Sequence, residues 1–203
     1  MAIEDRKQRE KEQMRRLILD TAREIFLEKG YYQTSIRNIA DKIEYSPGTI
    51  YLYFKEKDEI FYDLHNEAFA KLFGLFEPLS HVEDPFERLK AMGRMYLDFA
   101  FNNKDLYDLM FIMSAPMNMI HEACEWEMGH RAFDTLMHTL KQCQEKGRFQ
   151  AMEIQTLSFM VWSGLHGMCA LYCRDRMGVM HEIDEKAILT ESYKYYENML
   201  ATL

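Results

Sequence analysis

The stretch TSIRNIADKIEYSPGTIYLYFKEKDEI, residues 34–60, decides the fold. Ile36, Ile39, Ala40 and Ile43 recur at i, i+3, i+4 and i+7, the spacing of one helix face, with Thr34 or Ser35 placed to cap it. Ser46 then offers a second N-cap and Pro47 takes the first-turn slot that tolerates proline. Only the residues around Glu44–Ser46 separate the two segments, which is the layout of a helix-turn-helix. On a wheel of about 100° per residue, Pro47, Ile50, Tyr51 and Phe54 gather on one side, and Gly48, Thr49, Leu52 and Tyr53 on the other. The first group is expected to pack on the preceding isoleucines and Phe26. The second is expected to stay outside.

That outer set suits a DNA major groove. Gly48 lets the helix end approach closely, Thr49 brings a hydroxyl and a methyl, Leu52 an apolar edge, and Tyr53 a long arm with a hydroxyl tip. Arg37, Lys55 and Lys57 can lie at the edges, where phosphates would be. The competing reading is an ordinary helical corner whose aromatics are core.

The rest of the chain continues helix after helix. Expected segments are ~7–29, stopped at Gly30, then ~36–43, ~47–53, ~57–76, ~85–102, ~104–114, ~118–146, ~152–174 and ~184–201. Asp84, Pro85 and Glu87 form the cap, first-turn and N3 pattern of one start, and Asp184 caps the last helix. Alternating β-branched runs are missing, so the expected fold class is all-α. A three-helix N-terminal DNA-binding domain (1–58) precedes a larger helical bundle (59–203) for ligand binding and dimerisation. Charge divides the same way. Residues 1–58 carry 12 Lys+Arg and 11 Asp+Glu, the remainder 13 and 22, so the acidity belongs to the second part and the first can approach phosphate.

No h-region of a signal peptide is visible, and the apolar run 157–173 is short for a membrane span and broken by Ser163 and His166. Cys124, Cys143, Cys169 and Cys173 are too few and scattered for a disulfide scaffold. These features point to the cytoplasm and to no membrane partner.

ILDTAREIFLEKGYYQTSIRNIADKIEYSPGTIYLYFKEKDEIF, residues 18–61, resembles the N-terminal DNA-binding domain of the TetR family of repressors. The resemblance covers about a fifth of the chain and joins three helices in order with their turns. It implies a homodimer on a palindromic double-stranded operator and a C-terminal domain that binds a small effector and dimerises. It also implies roles for particular residues. Thr34 takes the position of a phosphate contact, Arg37 a base or backbone contact, Gly48 and Thr49 the base-reading start of the recognition helix, and Tyr51, Tyr53 and Lys57 its backbone contacts. Two departures stand out. Glu44 occupies a turn position where the family usually has Gly; a positive φ there would cost about 1 kcal/mol. Tyr53 stands where many members have His. Further on, AMGRMYLDFAFNNKDLYDLMF (91–111) and WSGLHGM (162–168), with Trp162, His166 and Gly167, resemble the subset whose C-terminal domain is named for a Trp-His-Gly pattern.

Within 92–117, Met92, Met95, Tyr96, Phe99, Tyr107, Met110 and Phe111 recur at helical spacing. They are core residues first. Methionine also suits a pocket for apolar ligands, and with Trp126 they form the expected effector pocket. Arg94 and Lys104 are the only basic residues of 91–117 and read as outward, so the effector is expected to be largely apolar and neutral or cationic. The last two long helices are expected to make a two-fold four-helix interface through Phe159, Trp162, Leu165, His166, Tyr193 and Tyr196. His166 reads as a hydrogen-bonded core or interface histidine rather than a ligand contact.

HEACEWEMGH, residues 121–130, is the most enzyme-like string: His121, Cys124 and Glu125 share a face, and Glu127 with His130 has the Glu-x-x-His spacing of metal-binding bundles. Only one such motif is present, and Cys169 with Cys173 supplies two thiols without further nearby ligands. No cofactor and no catalysis are therefore expected. The rival readings are a helical metalloenzyme built on His121, Glu127 and His130, and a transcriptional activator without effector release.

Overall fold

The computed structural model describes residues 2–114, 116–117, 126–181 and 184–203. No strand occurs among them. The chain divides into two compact units. One holds Met1–Glu67 with the segment that begins at Met113; the other holds Ala68–Ile112 and the helices that follow Trp126.

In the first unit, α1 spans Ala2–Lys29, starting earlier than ~7. Residues 4–13 of it are all polar and exposed, and strong helix formers with i,i+4 pairs such as Arg6–Glu10 (2.8 Å) sustain this stretch without burial. Gly30 ends it at φ 77°, donating its N–H to the Phe26 carbonyl at 2.8 Å. Helix α2 (Ile36–Lys42) is capped by Ser35, whose hydroxyl accepts from the Asn38 N–H. Helix α3 (Pro47–Tyr51) is capped by Ser46, which accepts from the Thr49 N–H, with Pro47 at N1. Between them Glu44 has φ 59°. A non-glycine residue therefore holds the left-handed turn, at a cost of about 1 kcal/mol.

Helix α4 spans Lys57–Phe76, and the division between units falls inside it, after Glu67. The first unit's core joins Ile18, Ala22 and Phe26 of α1 to Ile39, Ile50, Phe54 and Phe61, with the Phe26 and Phe61 rings edge-to-face at 5.4 Å. Arg15 braces it: its guanidinium lies 4.4 Å over the Phe54 ring and pairs with Asp63.

The second unit continues with a 3₁₀ turn (Glu77–His81) and then α5 (Pro85–Asn102). After it come α6 (Lys104–Phe111), α7 (Glu127–Glu145), α8 (Ile154–Cys173) and α9 (Glu185–Ala201). Helix α5 is central, packing on α6, α7, α8 and α9. Asp84 caps it by accepting the Phe86 and Glu87 N–H groups, and those bonds hold its carboxyl below the usual range. Asp184 caps α9 as expected. Glu153 caps α8 through the Gln155 and Thr156 N–H groups, an unforeseen cap because glutamate is not a favoured one. The helix expected over ~118–146 begins at Glu127, with Trp126 as a non-helical cap; residues 118–125 lie outside the described residues.

Candidate functional site

Two places carry chemistry, one in each unit. In the first, α3 buries Ile50 completely and Phe54 follows it into the core, while Leu52 is 78% and Tyr51 56% exposed. Gly48, Arg37 and Lys55 are exposed, and Thr49 and Tyr53 are half-buried. A Cβ on Gly48 would meet only Ser46 Oγ at 3.5 Å, so no neighbour in the chain requires glycine there.

Three expectations for this surface need correction. Tyr51, placed on the core side by the wheel, points outward, and Tyr53 is the more covered of the two. Helix α3 ends at Tyr51, so a uniform 100° step no longer applies beyond it. Thr34, the expected phosphate contact, is buried, and its hydroxyl donates to the Gly30 carbonyl at 2.9 Å, closing the C-terminus of α1. Lys57 is turned inward, its ammonium 3.6 Å over the Tyr31 ring and donating to the Tyr31 carbonyl at 3.1 Å. Desolvation there lowers its pKa. Beside it the Tyr31 hydroxyl donates to the Asp58 carboxylate, and burial raises the phenol's pKa.

The second unit holds an apolar cavity of about 140 Å³, partly open to solvent. Phe69, Leu72 and Phe76 come from α4; Leu89, Lys90, Met92, Gly93 and Tyr96 from α5; Phe111 from α6; Trp126 precedes α7. Gly129, Ala132, Phe133 and Leu136 of α7, Val161, Trp162 and Leu165 of α8, and Tyr193, Tyr196 and Leu200 of α9 complete it. Among the described residues, Lys90 is the only charged residue of the lining.

Four of the expected pocket residues, Met92, Tyr96, Phe111 and Trp126, line the cavity. Phe99, Tyr107 and Met110 do not, being buried in the core, and neither does Met95. Helical spacing identifies apolar faces but not which of them borders a void. The leucines and valine of α4, α7 and α8 were missed for the same reason.

Three lining aromatics rest on glycines. A Cβ at Gly93 would fall 1.8 Å from the Tyr193 hydroxyl oxygen, one at Gly129 2.2 Å from the Trp126 ring, and one at Gly164 2.8 Å from the Tyr196 oxygen. The phenols are tied down as well: Tyr193 donates to the Lys90 carbonyl at 3.0 Å and Tyr196 to the Val161 carbonyl at 2.9 Å. Against the cavity's Tyr96, the Tyr107 hydroxyl lies 2.6 Å from His166 Nδ1, with the two hydroxyls 3.2 Å apart. With the phenol donating, the neutral imidazole carries its proton on Nε2. Burial lowers the pKa of His166 and raises those of both tyrosines.

The expected interface set is corrected by this arrangement. Leu165, Tyr193 and Tyr196 are buried within their own unit, and Trp162 and His166 engage Phe111 and Tyr107, leaving Phe159 as the exposed member. Helix α8 is apolar nearly all round, so the pattern could not tell its inner from its outer face. The outward apolar residues are Phe159, Met160 and Leu171 on α8, with Tyr195 and Met199 on α9.

His121, Cys124 and Glu125 lie outside the described residues. Glu127 and His130 stand in the first turn of α7, and no group of three or more metal-ligating side chains occurs among the described residues. Burial raises the pKa of Cys169, and that of Cys173 to about 12; the Cys173 thiol donates to the Ala100 carbonyl at 3.8 Å. Neither is poised as a thiolate. No helix among the described residues is long and apolar enough to cross a membrane.

A capped helix-turn-helix, with a separate helical unit around an apolar cavity, defines the helix-turn-helix regulators that carry a helical C-terminal domain. Residues 18–64 match the bacterial regulatory proteins of the tetR family, and residues 89–190 match the tetracyclin repressor-like C-terminal domain. The chain belongs to the TetR family of helix-turn-helix transcription regulators. The Trp-His-Gly subtype is not what the second match names.

Over 80 residues the chain is 35% identical to the fatty acid metabolism regulator protein of Bacillus subtilis (strain 168), a match spanning 39% of each chain. Over 123 residues it is 26% identical to the transcriptional activator FasR of Mycolicibacterium smegmatis, 56% of each chain. The chain spans only 20% and 28% of the length of two further curated relatives. Among solved structures, the fatty acid degradation regulator FadR of Bacillus halodurans superposes with a TM-score of 0.69 at 21% identity, covering 89% of this chain and 92% of that one. At that identity the likeness is one of fold.

Proposed function

We propose that the protein is a dimeric transcriptional repressor that binds a palindromic operator and is released by a small, largely apolar effector. The observation that carries this reading is α3. Its inner side is fully buried through Ile50, while Gly48, Tyr51 and Leu52 remain exposed. Thr49 and Tyr53 border that surface, and Arg37 and Lys55 flank it as phosphate contacts. DNA binding is assigned to residues 1–58 and effector binding and dimerisation to 59–203.

The cavity supports the effector half of the reading. Its lining is almost wholly apolar and rewards burial of apolar surface at about 25 cal/mol per Å². The names of the B. subtilis and B. halodurans relatives point to a fatty-acid-type molecule as the effector class. The outward residues Phe159 and Leu171 of α8 and Tyr195 and Met199 of α9 are the proposed dimer contacts. Release follows from a population shift: an effector that prefers a dimer misfitted to half-sites about 34 Å apart weakens operator binding. A hundredfold loss needs a preference of about 2.7 kcal/mol.

The test is footprinting of the DNA flanking the protein's own gene, with Thr49→Ala and Tyr51→Ala compared with the parent. Both variants should lose protection of a palindrome at unchanged melting temperature; protection identical to the parent's would reject this surface. A second reading, activation, is favoured by the FasR relative. Transcription in vitro from the same DNA separates the two: added protein lowers the transcript for a repressor and raises it for an activator.

A further inference from the structure

Beside the apolar cavity lies a second, more polar groove of the same unit, and Phe76 and Met92 line both. The two spaces therefore adjoin across these side chains. Among the described residues, the groove's walls carry Arg88, Arg131 and His138 against a single carboxylate, Glu77. This is a local reversal of sign, since residues 59–203 hold 13 Lys+Arg and 22 Asp+Glu.

Neither arginine is neutralised by a carboxylate among the described residues. The Arg88 guanidinium donates to the Val82 carbonyl at 2.7 Å and to the Gln142 amide oxygen at 2.6 Å, neutral partners that fix its direction. The Arg131 guanidinium lies 4.9 Å from the centre of the Phe73 ring, on the groove wall. An aromatic face holds a cation in place without cancelling its charge. The threonines of the groove are engaged locally, Thr135 donating to the Arg131 carbonyl at 2.8 Å and Thr139 to the Thr135 carbonyl at 3.0 Å. Among the described residues, Arg131 is therefore the groove's principal uncommitted cation.

We propose that the effector is a single-chain amphiphile: its hydrocarbon tail fills the apolar cavity, and its anionic head lies in the adjoining groove on Arg131, with Arg88 and His138 on the same walls. A guanidinium suits a carboxylate or phosphate head because its planar fork donates two parallel charge-assisted bonds. The expectation of a neutral or cationic ligand considered only the basic residues of 91–117, and both arginines fall outside that window. The proposal rests on the cavity being the effector site.

Calorimetric titration of the full-length protein with decanol, decanoate and decyl phosphate, all below their micelle concentrations, tests it. Both anions should bind about tenfold or more tightly than decanol. Arg131→Gln should erase that preference while leaving decanol affinity and melting temperature unchanged, and Arg131→Lys should keep part of it. Equal affinity for decanol and the anions, or an undiminished preference in Arg131→Gln, overturns the head-group site while leaving the cavity as effector site intact. Failure of all three ligands to bind overturns both. A preference for decyl phosphate over decanoate identifies a phosphate head, and the reverse a carboxylate.

Discussion

Replacing Gly93 by alanine should be among the most damaging single-methyl changes in this protein. The added Cβ would sit 1.8 Å from the Tyr193 hydroxyl oxygen and 2.5 Å from Cζ, well inside contact distance. The ring must therefore move, and its hydrogen bond to the Lys90 carbonyl breaks. Loss of a buried hydroxyl's partner costs about 1–3 kcal/mol, and forcing a packed ring aside costs about 1–3 kcal/mol more. Together they come to about 2–6 kcal/mol, a large fraction of ordinary domain stability. At a fixed protein concentration the melting temperature should fall by about 5–15 °C. Because Tyr193 lines the cavity, ligand affinity should fall as well. Tyr193→Leu removes both the hydroxyl and the crowding atoms, so Gly93→Ala in that background should cost far less. The coupling between the two changes in urea melts is then the measured quantity. An equal cost in both backgrounds, or no cost in the parent, would refute the idea that this glycine exists to seat the ring.

Three further outcomes are expected. Glu44→Gly should raise stability by about 0.5–1 kcal/mol in urea melts, because relief of the positive φ outweighs the entropy that glycine adds to the unfolded chain. Burial lowers the pKa of His166 below its ordinary 6.5, so the unfolded chain takes up that proton first. The contribution of His166 is thus fully present above about pH 6.5 and lost as pH falls toward the folded-state value, and His166→Gln should flatten that part of the stability profile. Phe159, 61% exposed, and Tyr195, 74% exposed, are the most exposed aromatics of α8 and α9; Phe159→Glu with Tyr195→Glu should give a folded monomer in sedimentation. A dimer as tight as the parent's would place the interface elsewhere.

The sequence by itself determined the local structure of the first unit. Ser46 with Pro47, Ser35 before Ile36, Gly30 after Lys29 and the isoleucine spacing each act within a few residues of themselves, so capping and periodicity are readable without knowing the rest of the chain. It also fixed the all-helical class and the order of the helices. It did not determine what the helices of the second unit face. Helix α8 is apolar almost all round, and only packing against α5, α6 and α9 turned Leu165 and Trp162 inward and left Phe159 and Leu171 outside. Thr34 and Lys57 show the same limit at shorter range. Both are polar and both stand where a DNA contact was expected, yet one hydroxyl found the Gly30 carbonyl and one ammonium found the Tyr31 ring. The cavity depended on tertiary structure entirely. It is the space left where α4 to α9 meet around rings seated on Gly93, Gly129 and Gly164, and those contacts join residues up to a hundred positions apart (the Tyr193 phenol on Lys90, for one). Periodicity records which residues share a face of one helix; which faces meet, and where they fail to fill the space between them, is decided by all the side chains at once.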